Sequence, residues 1–198
     1  MVIGHHLMFT GYGHWLPNDP RGSLSLRVWS PELAELAQAH FGRRNPQPSL
    51  EELKAFYARA DGLLAYPVLW FDAPQREALI DAVASVVQRE RLTCWACAVL
   101  SNHVHVLVRR HRLKGDQMHA RIREACVETL RERCLVPPDH PVLSARACDV
   151  FKDDVLSVRT CVRYINDNFA RHRLPLEVYP FVKPYDDWPF QGQITSKQ

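Results

Sequence analysis

The sequence predicts an α+β sandwich with one mainly antiparallel sheet and helices packed on it. Short apolar, β-branched runs alternate with longer segments of helical periodicity, in the order β-(insertion)-α-β-β-α-β-α. Two of the apolar runs, 93–100 and 103–110, are separated only by Ser101 and Asn102, a connection short enough for a hairpin. At 198 residues the chain can form one substantial domain with its own core.

The local patterns give each element in turn. Strands are predicted over 2–10, 93–100 and 103–110, with two weaker candidates at 69–71 and 145–151. Helices are predicted over 31–41, 50–60, 74–91 and 116–134, and from Asp153 or Asp154 to about residue 170. We expect a single domain over 1–198, with a helical insertion at about 24–70 and an irregular tail at about 172–198 that packs on the body.

Composition and charge narrow the class of protein. Hydrophobic residues make up 46% of the chain and charged residues 24%, which is ordinary for a globular domain. The first residues do not resemble a signal peptide and no run of 18 apolar residues occurs, so we expect a cytoplasmic protein with reduced thiols and no membrane partner. The net charge of +3 permits nucleic-acid binding, and the segment 109–133 carries eight Lys and Arg against four Asp and Glu.

The strongest chemical signal is the pair His103 and His105 inside the apolar run 100–108. Residues i and i+2 of a strand point to the same face, so both imidazoles project side by side while Val104 anchors the opposite face. Imidazole is a common ligand of divalent metals, and two of them on a rigid strand make half of a metal site. Two hydrogen-bonded histidines on a sheet surface are the alternative.

A second signal lies on the last predicted helix. Tyr164 and Asn168 are four residues apart and therefore share one helix face. An amide oxygen can complete a divalent-metal shell of two imidazoles, and a phenol beside such a metal can act as a nucleophile on a phosphate. A tyrosine at the edge of the core, with an asparagine near the helix end, is the alternative.

Two further motifs have the right residue types for metal binding. Cys94 and Cys97 precede the histidine pair with the spacing of a zinc site. Side chains three apart on a strand point to opposite faces, so we expect these thiols not to converge, and a zinc-structured regulatory protein is the weakest alternative. By the same alternation, at most one of His5 and His6 can reach the face of the histidine pair.

Candidate nucleic-acid contacts fall in two segments. The basic cluster after the histidine strand offers phosphate contacts, and the loop 11–22 mixes aromatic residues, glycines and an arginine, a mixture suited to stacking on unpaired bases. The basic candidates are Arg109, Arg110, Arg112, Arg121 and Arg123, and the loop candidates are Tyr12, Trp15 and Arg21. A solvated helix face, and an aromatic side chain that fills the core, are the corresponding alternatives.

Together these segments resemble a known family. The run 96–108 resembles the HUH motif (His-hydrophobe-His) of the single-tyrosine transposases, among them the REP-associated tyrosine transposases, and Tyr164 with Asn168 resembles their nucleophile helix. The loop 12–22 and the segment 181–186 are also similar to segments of these proteins. The sequence departs from the family pattern at Ser101 and Phe169, where proline is frequent.

The resemblance implies a ferredoxin-like, HUH-type nuclease fold and a metal-dependent endonuclease and strand transferase in the bacterial cytoplasm. Its substrate would be single-stranded DNA with hairpins, such as palindromic repeats or element ends. The resemblance assigns the nucleophile to Tyr164, with a 5′-phosphotyrosine intermediate, and the Mg²⁺ or Mn²⁺ ligands to His103, His105 and Asn168. A monomer and a homodimer both remain open, and a domesticated, non-catalytic protein that binds DNA hairpins is the main alternative function.

Overall fold

The computed structural model describes residues 1–23, 25, 27, 28, 30–144 and 148–190, with the side chain of Leu50 excepted. Its strands are β1 (Gly4–Thr10), β2 (Cys94–Val99), β3 (His103–Arg109) and β4 (Cys148–Lys152). Its helices are α1 (Pro31–Ala34), α2 (Leu50–Asp61), α3 (Ala73–Arg89), α4 (Gly115–Glu132) and α5 (Val155–Arg171). These residues form two compact units: one contains 1–9, 71–139 and the described residues from 148 onward, and the other contains 10–70 and 140–144.

The first unit is built on a four-stranded sheet in the order β2-β3-β1-β4. The pairs β2–β3 and β1–β4 are antiparallel. At the junction of β3 and β1, the Arg110 backbone N–H donates to the Ile3 carbonyl (2.8 Å), and further along His6 lies beside His105, so these two strands also run antiparallel. The predicted α+β class and the predicted antiparallel sheet are confirmed.

Helices cover both faces of this sheet. Helix α5 contacts β2 and β3 on the face that carries His6 and His105. Helix α4 begins on the opposite face, where a Cβ on Gly115 would lie 2.6 Å from Nδ1 of His5, and α3 packs against α4. The carboxylate of Asp154 caps the start of α5 by accepting a hydrogen bond from the Ser157 backbone N–H, as the sequence predicts for one of the two aspartates.

The two cysteines of the C-x-x-C motif point to the same face, contrary to the expectation from simple alternation. The register of β2 against β3 shifts between Cys94 and Ala96, as in a β-bulge. Cys94 therefore pairs with Val108 and Cys97 with Val106, and these two valines share one side of β3. The extra residue in the strand is the physical reason that the prediction of diverging thiols is wrong.

The proline-rich tail packs on the edge of β2, up to residue 190. Val182 forms a parallel bridge with Cys94, and the Lys183 N–H donates to the Cys94 carbonyl (2.8 Å). The Trp95 ring contacts Tyr185 at a centroid distance of 4.7 Å. Residues 191–198 of the predicted tail lie outside the described residues.

The second unit contains the predicted insertion and differs from the prediction in two places. The predicted helix over 31–41 is only the four-residue α1, because this helix buries no residue that could stabilise a longer one. Residues 69–71 are not a strand; instead the Leu69 N–H donates to the Tyr12 carbonyl at 3.0 Å. Helix α2 matches its predicted range closely, and Ser49 and Glu52 form a capping box at its start.

Gly22 holds two loops of the second unit together. Its φ of +93° belongs to the left-handed region that favours glycine, and a Cβ would lie 1.9 Å from the Gly42 carbonyl oxygen. Ser23 and Phe41 form the parallel bridge next to this contact. Among the described residues, no helix is long and apolar enough to cross a membrane.

Candidate functional site

The histidine pair lies where the sequence predicts it, on one face of β3. His103 and His105 are both buried, with ring centroids 4.6 Å apart. Val104, between them, faces the other side and pairs with Val99 of β2. The strand thus supplies two adjacent imidazoles from a rigid element with an apolar anchor behind it.

The hydrogen bond to Asn102 fixes the tautomer of the first imidazole. Nδ1 of His103 lies 2.7 Å from Oδ1 of Asn102. The amide oxygen can only accept a hydrogen bond, so Nδ1 must carry the proton and donate it. In its neutral form, the His103 ring therefore has its lone pair on Nε2, the nitrogen that a metal would use.

The second imidazole contacts a histidine from the neighbouring strand. Nε2 of His6 lies 2.9 Å from Nδ1 of His105, and both rings are buried. Burial lowers the pKa of His105 to about 3 and that of His6, with a smaller contribution from the Lys152 charge, to about 4. Both rings are therefore neutral at physiological pH, the protonation state in which imidazole binds metals.

One buried nitrogen of this cluster has no partner in the part of the chain that the structure describes. Nε2 of His105 has no hydrogen bond to any described residue, whereas buried polar atoms are normally satisfied. A buried nitrogen that lacks a hydrogen bond requires an explanation, and a role as a metal ligand would provide one. The missing partner of His105 Nε2 is therefore the feature of this structure that fits a bound cation.

Helix α5 places the predicted nucleophile beside this cluster. The Tyr164 ring is 5.5 Å from the His105 ring and 6.1 Å from the His6 ring, and the residue is 41% exposed. Asn168 is buried one turn later, and its Nδ2 donates to the Tyr164 carbonyl (2.6 Å). With Nδ2 used as a donor, Oδ1 is the atom that Asn168 can offer to a cation.

The guanidinium of Arg171, at the end of α5, lies 5.5 Å from the centre of the Tyr164 ring. Ile165 and Phe169, which are completely or almost completely buried, hold this stretch of the helix on the sheet. Phe169, a departure from the family pattern, is thus a core residue. The phenol is left on the exposed side of a firmly packed helix.

The donor types define what the site could hold. The described residues contain no group of three or more His, Cys, Asp or Glu side chains arranged to bind a metal. The residues that could hold a divalent cation are those that the sequence predicts, namely the two imidazoles of His103 and His105 and the amide of Asn168. A site with few protein ligands leaves positions for phosphate oxygens and water, which suits Mg²⁺ or Mn²⁺ better than a closed structural zinc site.

Sequence reasoning missed His172, which lies just after α5. Its ring is 5.0 Å from the His103 ring, and its Nδ1 is 2.8 Å from Oγ of Ser101. Ser101 is the second departure from the family pattern, and here it links the β2–β3 connection to the end of α5. A lone histidine at a helix end gave no signal of this position in the sequence.

His5 lies on the opposite face of β1 from the cluster. Its Nδ1 is 3.0 Å from Oδ2 of Asp149 on β4, and its ring contacts Phe151. Strand alternation allows at most one of the two adjacent histidines to reach the face of the histidine pair, and His6 is the one that does. The sequence could not identify which one, because the order of the strands is not visible in it.

The predicted basic contacts occupy different environments within the first unit. Arg110 and Arg112 are exposed after β3, whereas Arg123 is half-buried on α4. The Arg109 guanidinium lies over the Trp188 ring at 3.7 Å. Arg121 donates to the buried Glu90 carboxylate at 2.5 Å, which ties α4 to the end of α3. Three of these arginines are thus exposed, and two, Arg109 and Arg121, are engaged in contacts within the protein.

The predicted loop contacts belong to the second unit. The Tyr12 ring contacts Tyr66 and His140, at centroid distances of 6.1 Å and 5.3 Å. The Arg21 guanidinium stacks over the Trp15 ring at 4.0 Å and forms an ion pair with the buried Asp19 (2.7 Å). Trp15 is 38% exposed, so part of this residue is accessible to solvent.

No family model matches the chain, and no curated protein matches it. The solved structures that are similar to this chain include the following two. One is a REP-associated tyrosine transposase bound to a REP hairpin, with 15% identity and a TM-score of 0.45 over 96% of this chain and 76% of that chain. The other is a Deinococcus radiodurans R1 protein described as a transposase, with 12% identity and a TM-score of 0.39 over 84% of this chain and 91% of that chain.

Proposed function

We propose that the protein is a metal-dependent endonuclease and strand transferase that acts on single-stranded DNA with hairpins. The observation that supports this most is the cluster on one sheet face. There the exposed Tyr164 phenol lies beside His105, whose buried Nε2 has no partner among the described residues. A nucleophile next to an unpartnered ligand atom is the arrangement that phosphoryl transfer needs.

Tyr164 would perform the covalent step. Its phenol oxygen attacks the phosphorus of a phosphodiester, and the bond from phosphorus to the 3′-oxygen of the preceding nucleotide breaks. The phenol proton passes to water at the exposed side of the ring, and the leaving oxygen takes up a proton to become a free 3′-hydroxyl. The product is a 5′-phosphotyrosine, and attack by a 3′-hydroxyl on it reverses the reaction and joins strands.

The chain's own residues hold the phosphate in place for this attack. Arg171 lies close enough to the Tyr164 ring to neutralise a phosphate that approaches it. His103, His105 and Asn168 would hold Mg²⁺ or Mn²⁺, which when bound supplies Lewis-acid polarisation of the phosphate oxygens. The neutral state of the buried His105 ring keeps its lone pair ready for that role.

Other residues of the chain would contact the DNA strand. Arg110 and Arg112 follow directly after β3 and are exposed, which makes them the best placed of the predicted phosphate contacts. Trp15 and Tyr12 are the proposed stacking residues, with Arg21 held against Trp15 by its ion pair to Asp19. The hairpin in the substrate follows from the resemblance of the HUH and tyrosine motifs.

The test is a cleavage assay with labelled single-stranded hairpin oligonucleotides from the flanks of the gene, in Mg²⁺ or Mn²⁺, on a denaturing gel. A covalent protein–DNA species is expected for the wild type and is expected to disappear in Tyr164→Phe with hairpin binding retained. Tyr185→Phe is the matched control, because its hydroxyl donates to Trp188 in the tail, and it should form the adduct normally. Tight hairpin binding with no adduct in either metal would instead favour the non-catalytic DNA-binding protein.

A further inference from the structure

We propose that His6 is a positioning residue that fixes the tautomer of His105. It accepts a hydrogen bond from Nδ1–H of His105 and thereby leaves the lone pair of that ring on Nε2, directed into the site. The role of this hydrogen bond in metal binding rests on the proposed function, because Nε2 is the atom that would bind the cation. The tautomer itself is a property of the protein alone.

Two arrangements of the proton satisfy the 2.9 Å contact between Nε2 of His6 and Nδ1 of His105. In the first, His105 donates and its Nε2 keeps a lone pair. In the second, His6 donates and Nε2 of His105 must carry a proton. Since that Nε2 is buried and has no partner among the residues that the structure describes, the second arrangement buries an orphaned N–H donor, which is rarer in proteins than an orphaned acceptor.

The neighbouring ring supports the first arrangement. His103 must donate from Nδ1 because its partner, Oδ1 of Asn102, can only accept. The first arrangement therefore gives both imidazoles of the pair the same tautomer, with both lone pairs on Nε2. The acceptors that set this tautomer differ in kind, since an amide oxygen lies beside His103 and a second imidazole lies beside His105.

The backbone around His6 is suited to a positioning role. Strand β1 lies between β3 and β4, and His6 pairs with Val150 of β4, so strand pairing constrains the backbone on both sides. The ring is only 4% exposed. Ligand histidines ordinarily donate their second N–H to a partner that sets the ring orientation, and loss of that partner costs about 10- to 100-fold in metal affinity.

The decisive measurement needs no variant. Long-range ¹H–¹⁵N correlation spectra of the metal-free, ¹⁵N-histidine-labelled protein at neutral pH report which nitrogen of each ring is protonated. We expect a protonated Nδ1 and an unprotonated Nε2 for both His103 and His105. A protonated Nε2 on His105 would overturn the proposal.

Three variants test whether the tautomer of His105 affects the affinity for a metal ion. His6→Leu removes the acceptor and should make the His105 tautomer mixed, with Mn²⁺ affinity by calorimetry falling about 10- to 100-fold. His6→Gln offers an amide oxygen in place of the imidazole nitrogen and should restore both readouts. His5→Leu, on the opposite face of the same strand, should change neither. Wild-type Mn²⁺ affinity in a folded His6→Leu would contradict the proposal.

These readouts separate the two levels of the hypothesis. The expected tautomer together with an absence of Mn²⁺ binding and DNA cleavage would leave the role of His6 intact and refute the proposed function. Cleavage and Mn²⁺ binding by a protein whose His105 carries its proton on Nε2 would support the proposed function and refute the role of His6. Thermal denaturation of each variant shows that it is folded.

Discussion

Strands β2 and β3 carry two clusters of metal-ligand residue types, one on each face, and burial affects them in opposite ways. On one face lie the imidazoles of His103 and His105; on the other lie the thiols of Cys94 and Cys97. Burial lowers the pKa of His105 to about 3, which keeps the ring neutral and able to bind a metal. Burial also raises the pKa of Cys94 to about 12, which keeps the thiol protonated and unable to do so.

The thiol face is therefore part of the core. Cys126 of α4 is completely buried, and the pKa of the Cys97 thiol is well above its usual range because of burial, with further contributions from Cys94 and Cys126. A thiolate would lose its hydration without gaining a cation. The spacing C-x-x-C, which is the more familiar metal signature, marks the cluster of protonated thiols. The less specific His-x-His marks the cluster in which a possible ligand atom, Nε2 of His105, has no partner within the described part of the chain.

The largest expected effect is in thiol reactivity. With a chromogenic disulfide reagent at neutral pH, the exposed Cys134 should react rapidly, whereas Cys94, Cys97 and Cys126 should react at least about a thousandfold more slowly, since access requires unfolding. The time course of native and urea-denatured protein checks this. Fast reaction of the three buried thiols in folded protein would show that their face is accessible, and it would contradict the proposed difference between the thiol face and the histidine face.

The next effect is on metal affinity. His105→Leu removes an imidazole and should weaken Mn²⁺ binding by about two orders of magnitude, because it takes away one of the three proposed protein ligands. Cys97→Ala, on the other face of the same hairpin, is the matched control and should bind Mn²⁺ as the wild type does. Calorimetry of both proteins measures the difference. A loss of affinity in Cys97→Ala alone would place the metal on the thiol face.

The buried imidazoles should also make the metal-free protein sensitive to acid. The pKa of His6 falls from 6.5 to about 4 on folding, so the unfolded chain binds more protons between these values. Stability is then complete above pH 6.5 and is lost as the pH falls towards 4, by about 2 kcal/mol at pH 5 for this one residue. Urea unfolding in EDTA at pH 7 and pH 5 should show a smaller loss in His6→Gln. An equal loss in both proteins would contradict the lowered pKa.

The smallest effect concerns packing on the thiol face. Cys97→Ala removes a buried sulfur from the core and should lower the free energy of unfolding by about 1 kcal/mol. Cys134→Ala, at an exposed position, should change it by less than about 0.5 kcal/mol. Urea denaturation of the two variants compares them directly. Equal stabilities would mean that Cys97 does not contribute to the core.

The sequence predicted the elements of the first unit well, because their apolar periodicity is strong. The paired strands around Ser101 and Asn102, and the helix carrying Tyr164, lie within a few residues of their predicted bounds. The elements of the second unit were predicted less accurately. Helix α1 is four residues long instead of the predicted eleven, because a helical segment that buries no face is not stabilised by packing.

The candidate site was predictable only along single elements. Alternation on β3 and helical spacing on α5 placed His103 beside His105 and Tyr164 above Asn168. The contacts between elements depend on strand order and on a bulge, neither of which leaves a periodic signal. His6, His172 and the convergence of Cys94 with Cys97 therefore emerged only in three dimensions.

The most direct test of the proposed chemistry is to locate the covalent bond. Wild-type protein is incubated with a labelled hairpin oligonucleotide and Mn²⁺, digested with a protease and a nuclease, and analysed by tandem mass spectrometry. The proposal predicts a nucleotide attached through a 5′-phosphate to Tyr164, and to no other tyrosine. Attachment to a different residue, or cleavage that leaves no attached nucleotide under conditions where the hairpin is bound, would contradict it.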